Sequence, residues 1–332
     1  FQFFQLLFSP LLTRDVESGR IVPNLAESFN LVDSKTIEMT LRSDAIYHDG
    51  SAVTAADFAA TVETNKANVA ERINNFNPLI GQVEEVEVID DRNFVVHMST
   101  ETAGAALDLF TGRAGMVLPA DAGADFQNDP NGNGPFQFVS FTEGQRFVFE
   151  KFPDHFAADQ VQLAGVEFVQ VAEGNTEATA LLSGDVDFIT LSNTAYEGVE
   201  GEEGFETLVV PSDSGFIYLG VCKAEGAEYE DIRVRQAIWH ATDRSVINDQ
   251  VLNGLGSPWT QIWPEGSIYY NEEVGDPYPY DPERARELLD EAGVAEGTEF
   301  EFMIIGAPDF ETTSLILQQQ WAEAGINVKI TT

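Results

Sequence analysis

Four histidines, His48, His97, His155 and His240, and one cysteine, Cys222, have the widest chemical repertoire in this 332-residue chain, and their spacing assembles no familiar centre. None of these histidines has another His or Cys at the short intervals that hold zinc. His97 lies between Val96 and Met98 in an alternating run, the place of a satisfied or solvent-facing ring rather than a ligand. GxSxG, Walker A, HExxH and a glycine fingerprint after a strand are all absent. The string DPNGNG at 129–134 matches the first half of a calcium loop. The twelfth position, where a bidentate Glu is needed, is Ser140, and strand periodicity has begun at Phe136, so an ordinary Gly/Asn turn is expected. Asp185 and Asp187 are placed to act as an acid and base pair. Among 56 acids, such pairs also arise by chance.

Those 56 acids face 17 basic residues, five of them Lys, for a net charge of −39, and no Lys or Arg occurs between Lys151 and Lys223. A field of this sign repels nucleic acid and anionic membrane surfaces, which disfavours both as partners. It attracts cationic ligands, or it serves solubility through self-repulsion. The composition is read as adaptation to high salt, where screening makes the repulsion tolerable. With 43% hydrophobic residues and 24 Phe the chain is globular, and its length suggests two or three domains. A lone cysteine forms no intrachain disulfide and does not fix the compartment. No apolar stretch is long enough to span a bilayer. The apolar run Phe1 to Leu12 has no basic segment before it and no cleavage site after it, so it reads as buried strand or helix.

Several elements are legible. Ile37, Met39 and Leu41 alternate with Glu38, Thr40 and Arg42, which predicts a half-buried strand. Asp49-Gly50 is a turn, and Thr54 with Asp57 resembles a capping box opening a helix over about 55–67. Residues 83–89 and 94–98 predict one hairpin and residues 136–141 and 146–151 another. From 166 onward the pattern changes to βαβ: strand 166–171, helix 176–183 ended by Gly184, strand 186–191. Asp281-Pro282 starts a helix with Ala285, Leu288, Leu289 and Ala292 on one face and Gly293 as its stop. Residues 299–305, 311–324 and 326–330 read as strand, helix and strand, with parallel pairing. The last strand is followed by two residues only, so the sequence is expected to be a fragment.

Five stretches carry a family resemblance. PNLAESFNLVDSKTIEMTLRSDAIYHDGSAVTAADF at 23–58 resembles the entry motif of solute-binding proteins of the dipeptide, oligopeptide and nickel ABC importers. GNGPFQFVSF at 132–141 and FEKFPDHF at 149–156 are similar to that family's glycine-aromatic strand and following aromatic segment. DIRVRQAIWHATDRSVI at 231–247 and YPYDPERARELLDEAG at 278–293 resemble its later helices. The resemblance implies an α/β fold of the periplasmic-binding-protein kind: type II, three domains in two lobes that close on a ligand, the C-terminal lobe incomplete. Residues 1–20 and 131–222 would form domain I, 21–130 domain II and 223–332 domain III.

By the same resemblance the cleft-lining candidates are Ser9, Pro10 and Leu11, then Phe216, Tyr218 and Cys222 on a strand crossing between lobes, then Trp259 and Trp263. Each has a structural alternative. Ser9 to Leu11 are a strand end, whose backbone groups either close a ladder or bind a peptide main chain. Tyr218 either packs in the core or touches ligand. At Cys222 the family has Asn, so an amide is replaced by a weak donor, and an inert core thiol is expected. Trp259 and Trp263 either stack on a sugar or side chain or pack over the third domain. Asp243 and Arg244 are read as local charge pairing on a helix with Val234, Ala237, Ile238 and Ala241.

The function expected is capture of an extracellular solute without bond breaking, most readily a di- or oligopeptide, and its delivery to a membrane ABC permease. Oligosaccharide or a nickel chelate are the alternative ligands. A secreted hydrolase using paired carboxylates and the ligand-sensing domain of a regulator are the rival classes. A monomer at the cell surface or in the periplasm, with no cofactor and no metal, completes the expectation.

Overall fold

The computed structural model describes residues 4–70, 78–121, 130–172, 175–209, 217–221, 227, 229–263, 265 and 270–332. The chain divides into two units, Phe1–Gln170 and Val171–Thr332.

The first unit opens with helix α1 (Phe4–Leu7) and strands β1 (Leu12–Arg14) and β2 (Ile21–Pro23), which pair antiparallel. Strands β3 (Ala26–Asp33) and β4 (Thr36–Leu41), helix α2 (Ala55–Ala70), strands β5 (Val83–Val88) and β6 (Asn93–Met98) and helix α3 (Ala103–Leu109) follow. Sheet order is β3-β4-β6-β5, all antiparallel. The predicted alternation in β4 is realised: Ile37, Met39 and Leu41 are buried while Glu38 is exposed. Those residues meet Phe58 of α2, whose ring lies 5.1 Å from Phe94 and edge-on to Phe110 at 5.5 Å. The capping box is reciprocal: Thr54 donates its amide (2.8 Å) and hydroxyl (2.7 Å) to the Asp57 carboxylate, and the Asp57 amide donates back to the Thr54 hydroxyl oxygen at 3.4 Å.

Strands β7 (Phe136–Thr142), β8 (Arg146–Lys151) and β9 (Gly165–Val169) complete the unit as an antiparallel meander. Phe136 and Phe149 bury against Leu7, Phe8 and Met116, so α1 is packed on this second sheet. The predicted hairpin is present. The predicted βαβ is not: β9 continues the meander beside β8, and residues 186–191 form no strand. Phe188 in that stretch is 85% exposed. Residues 217–221, expected in a strand, likewise form no ladder, and Ile217, Tyr218 and Leu219 are exposed.

The second unit contains α4 (Asn175–Ser183), α5 (Asn193–Tyr196), α6 (Ile232–His240), α7 (Arg244–Val251), α8 (Pro282–Ala292), β10 (Glu299–Met303), α9 (Pro308–Glu323) and β11 (Asn327–Thr331). Strands β10 and β11 pair parallel, as expected for a strand-helix-strand unit. Helix α8 is stopped by Gly293 at φ 76°, a left-handed position that favours glycine, and it buries Ala285, Leu288 and Leu289. Those side chains join Val234, Ala237 and Ile238 of α6 and Leu317 and Trp321 of α9 in one core. The segment expected as one helix across Asp243 is two. Helix α6 ends at His240, and the Asp243 side chain caps α7 by accepting from the Ser245 amide at 3.0 Å.

Candidate ligand-binding segments

Ser9, Pro10 and Leu11 lie in the first unit where several segments meet. Ser9 is 4% exposed; its amide donates to the Asn133 side-chain oxygen at 2.9 Å. The Pro10 carbonyl accepts from the Leu25 amide at 3.2 Å and the Asn24 side chain at 2.8 Å. The Leu11 amide donates to Gly115, and its carbonyl accepts from Asn24 and Ala26. Leu11 has no exposed surface and belongs to the core. The backbone groups that a peptide main chain would use are therefore engaged at Leu11 and at the Pro10 carbonyl. Pro10 itself is half-buried.

Local sequence pattern carries little sign of what holds this segment. Asn133 donates its side-chain amide to the Val117 carbonyl at 2.8 Å while accepting from Ser9. Asn131 pairs with Asp49, side-chain nitrogen to carboxylate, at 2.9 Å. A Cβ on Gly132 would fall on the Leu7 carbonyl oxygen and one on Gly134 on that of Leu6, so only glycine permits this approach. The calcium-like string thus directs its described polar groups at the protein. The signal available in the sequence was the alternation of Asn with Gly, which marks close backbone approach as readily as a turn.

In the second unit, Tyr218 is 74% exposed, Trp263 is about half exposed and Trp259 is partly buried. The loop bearing both tryptophans is tied to 271–275 by the Thr260 hydroxyl on the Gly275 carbonyl (2.7 Å) and by the Gln261 side chain on the Asn271 carbonyl (2.9 Å). Phe216 and Cys222 lie outside the described residues. A depression of about 230 Å³ lies between α7 and α9, lined in part by Asp243, Gln250, Tyr280, Gln320 and Glu323. None of the candidates lines it. Burial first, then the Glu323 and Asp243 carboxylates, pushes the Tyr280 phenol up and keeps it protonated.

Local charge pairing holds in a different form from that expected. Arg244 pairs with Asp276 at 2.6 Å and lies over the Trp239 ring, leaving Asp243 to its cap. Asp231 accepts from Arg233, which, with the Arg233 amide, pulls its carboxyl down to about 2. Asp185 accepts from the Ser183 hydroxyl at 2.9 Å, and Asp185 and Asp187 are both exposed. Among the described residues no group of three or more His, Cys, Asp or Glu is placed to hold a metal ion, and no helix is long and apolar enough to cross a membrane.

The fold is that of periplasmic binding proteins. Superposed on the binding protein AgaA from A. tumefaciens R10, solved with agropinic acid, the chain gives a TM-score of 0.82 at 27% identity, over 98% of this chain and 67% of that one. The oligopeptide-binding protein AppA from Bacillus subtilis, solved with a nonapeptide, gives 0.77 at 23% identity over 98% and 68%, a likeness of fold alone. A profile for bacterial extracellular solute-binding proteins, family 5 (middle region), matches residues 20–332, and the chain belongs to that family. Glutathione-binding protein GsiB of Pectobacterium atrosepticum is 27% identical over 321 residues, 94% of this chain and 61% of its own length. Di/tripeptide-binding protein 1 of Pseudomonas aeruginosa is 30% identical over 226 residues, 66% of this chain and 41% of its own. The chain spans about three fifths of the length of the first of these relatives and less of the second.

Proposed function

We propose that this chain is part of the substrate-binding component of an ABC importer that captures a di- or oligopeptide outside the cell and passes it to a membrane permease. The observation that carries this reading is the family match across residues 20–332, together with two relatives named for short peptides, one for glutathione and one for di- and tripeptides. Capture needs burial and hydrogen bonding and no bond breaking, which accords with acids at 185 and 187 that are both exposed. Domain I at 1–20 and 131–222, domain II at 21–130 and domain III at 223–332 remain the division proposed for ligand closure. The protein acts in this reading as a monomer.

Trp263, exposed on a tethered loop, is the side chain proposed to meet ligand most directly, with Trp259, Tyr218 and Ser9 as further contacts. Calorimetric titration of the full-length protein with dipeptides, tripeptides, glutathione, oligosaccharides and a nickel–histidine chelate tests the reading. Saturable binding of a peptide without product formation is expected. Binding confined to a sugar or to the chelate would replace the ligand class, and turnover of any of these solutes would overturn the transport role.

A further inference from the structure

Two partly buried histidines of the first unit, His48 and His155, are bonded alike. The Gly132 amide donates to His48 Nδ1 at 3.2 Å, and His48 Nε2 lies 3.1 Å from the Gly134 carbonyl, which only accepts. The Ala157 amide donates to His155 Nδ1 at 3.2 Å, and His155 Nε2 lies 3.2 Å from the Ser9 hydroxyl. A backbone N–H aimed at Nδ1 requires a lone pair there. Each ring is therefore neutral with its proton on Nε2, and the Ser9 hydroxyl accepts from His155. His155 consequently cannot take the Ser9 proton, and this Ser-His contact is no nucleophile and base pair.

Further bonds beside the rings join the same segments. Gly134 donates to the Leu7 carbonyl at 2.8 Å, His48 donates its amide to Gly132 at 2.7 Å, and Ser9 donates to Asn133 at 2.9 Å. A proton added to Nδ1 of either ring would point at an amide hydrogen whose direction the backbone fixes.

We propose that His48 and His155 are an acid-sensitive latch: neutral, His48 Nδ1 holds the Gly132 amide of the turn at 131–134 and His155 Nδ1 holds the Ala157 amide while its Nε2 donates to Ser9; protonated at Nδ1, both rings lose the amide bond and these segments loosen. Among the described residues, the charged groups around the pair are Arg42, Asp44, Asp49, the exposed Asp154 and the rings themselves. Arg42 lies 4.6 Å over the Phe156 ring, which is 4.0 Å from His155, and its guanidinium bonds Asp44 at 3.0 Å. Asp49 is occupied by Ser51 and Asn131. Asp44 and Asp49 thus have partners of their own. Burial foremost, then His48 and Arg42, pulls His155 down to about 4, and burial pulls His48 below its ordinary value as well.

The sign follows from linkage. An imidazole that is harder to protonate when folded binds fewer protons there than in the opened chain, so the clamp is at full strength above the ordinary imidazole value and weakens as pH falls from about 6.5 toward about 4. Any bearing on solute release rests on the proposed role of Ser9 to Leu11; the latch itself does not.

Amide exchange read by NMR on the full-length protein tests it, with intrinsic rates removed. Protection at Ser9, Gly132 and Ala157 is expected to fall by about tenfold or more per pH unit across that window. Ile37 in β4 should hold its protection, and the double substitution His48→Gln with His155→Gln should abolish the fall. Protection of the three amides that persists to pH 4.5, or that falls equally in the double variant, overturns the proposal. If the variant does not fold, the His155 ring of the unaltered protein decides: titration well below pH 6 supports the latch, and titration at about 6.5 overturns it.

Discussion

Ser9 and Asn133, 124 positions apart, are joined by a 2.9 Å hydrogen bond from the Ser9 amide to the Asn133 side-chain oxygen, with both residues buried. The other end of the Asn133 amide closes on Val117, so one side chain satisfies a donor and an acceptor from two separate segments. Replacing it leaves both backbone groups buried and unpaired. Asn133→Ala is expected to destabilise the first unit by about 2–4 kcal/mol, the cost of two such groups at 1–3 kcal/mol each, less partial relaxation. Urea unfolding followed by circular dichroism measures it, and a loss under 1 kcal/mol would mean that water replaces both bonds.

Phe58 has no exposed surface and touches Phe94 and Phe110 at the centre of the first core. Phe58→Ala should cost about 3–5 kcal/mol through lost burial and a residual cavity. Phe58→Leu should cost clearly less. Equal losses in the two variants by urea titration would show that the site collapses freely.

Two glycines should respond in opposite directions to the same change. Gly104 is exposed inside α3 with nothing near its added Cβ, so Gly104→Ala should stabilise by about 0.5–1 kcal/mol through helix propensity. Gly134→Ala would drive a methyl into the Leu6 carbonyl and the backbone at Leu7, forcing the segments apart. It should lower the midpoint of thermal unfolding, and a Gly134→Ala protein as stable as the parent would refute the close approach.

The excess of 56 acids over 17 bases makes the folded state self-repelling. Raising KCl from 0.1 to 1 M shortens the screening length from about 10 to about 3 Å. A gain of about 2 kcal/mol would raise the melting temperature by roughly 4–8 °C for a unit of this size. Calorimetry across that salt range is the check; a flat or falling melting temperature would show that the acids are already compensated by local bonds.

Trp263 is exposed, so Trp263→Ala should leave thermal stability within about 0.5 kcal/mol. Its proposed contact with solute predicts weaker binding by calorimetry. A large drop in stability would instead assign the ring to packing.

Local rules were legible wherever a residue and its neighbours in sequence sufficed. The Thr54 and Asp57 box, the alternation of Ile37, Met39 and Leu41 and the Asp281-Pro282 start all appear in the fold as read, because capping bonds and side-chain periodicity act within a few residues. The stop at Asp243 was missed because a capping Asp and a mid-helix Asp differ only in backbone angles. Partner choice was beyond local pattern. The strand near 166 was placed correctly, yet only the register of Phe147 on Phe168 and Phe149 on Val166 made it the third strand of a meander.

From the sequence alone came the charge, the helix ends, the hairpins and the resemblance to solute-binding proteins. Tertiary structure alone turned the Asn-Gly string at 131–134 into a clamp, made Leu11 core, set Arg244 on Asp276 and fixed the proton positions of His48 and His155. The physical reason is range: propensity and periodicity are properties of neighbouring residues, whereas a buried amide or imidazole acquires its partner only when segments distant in sequence are packed together.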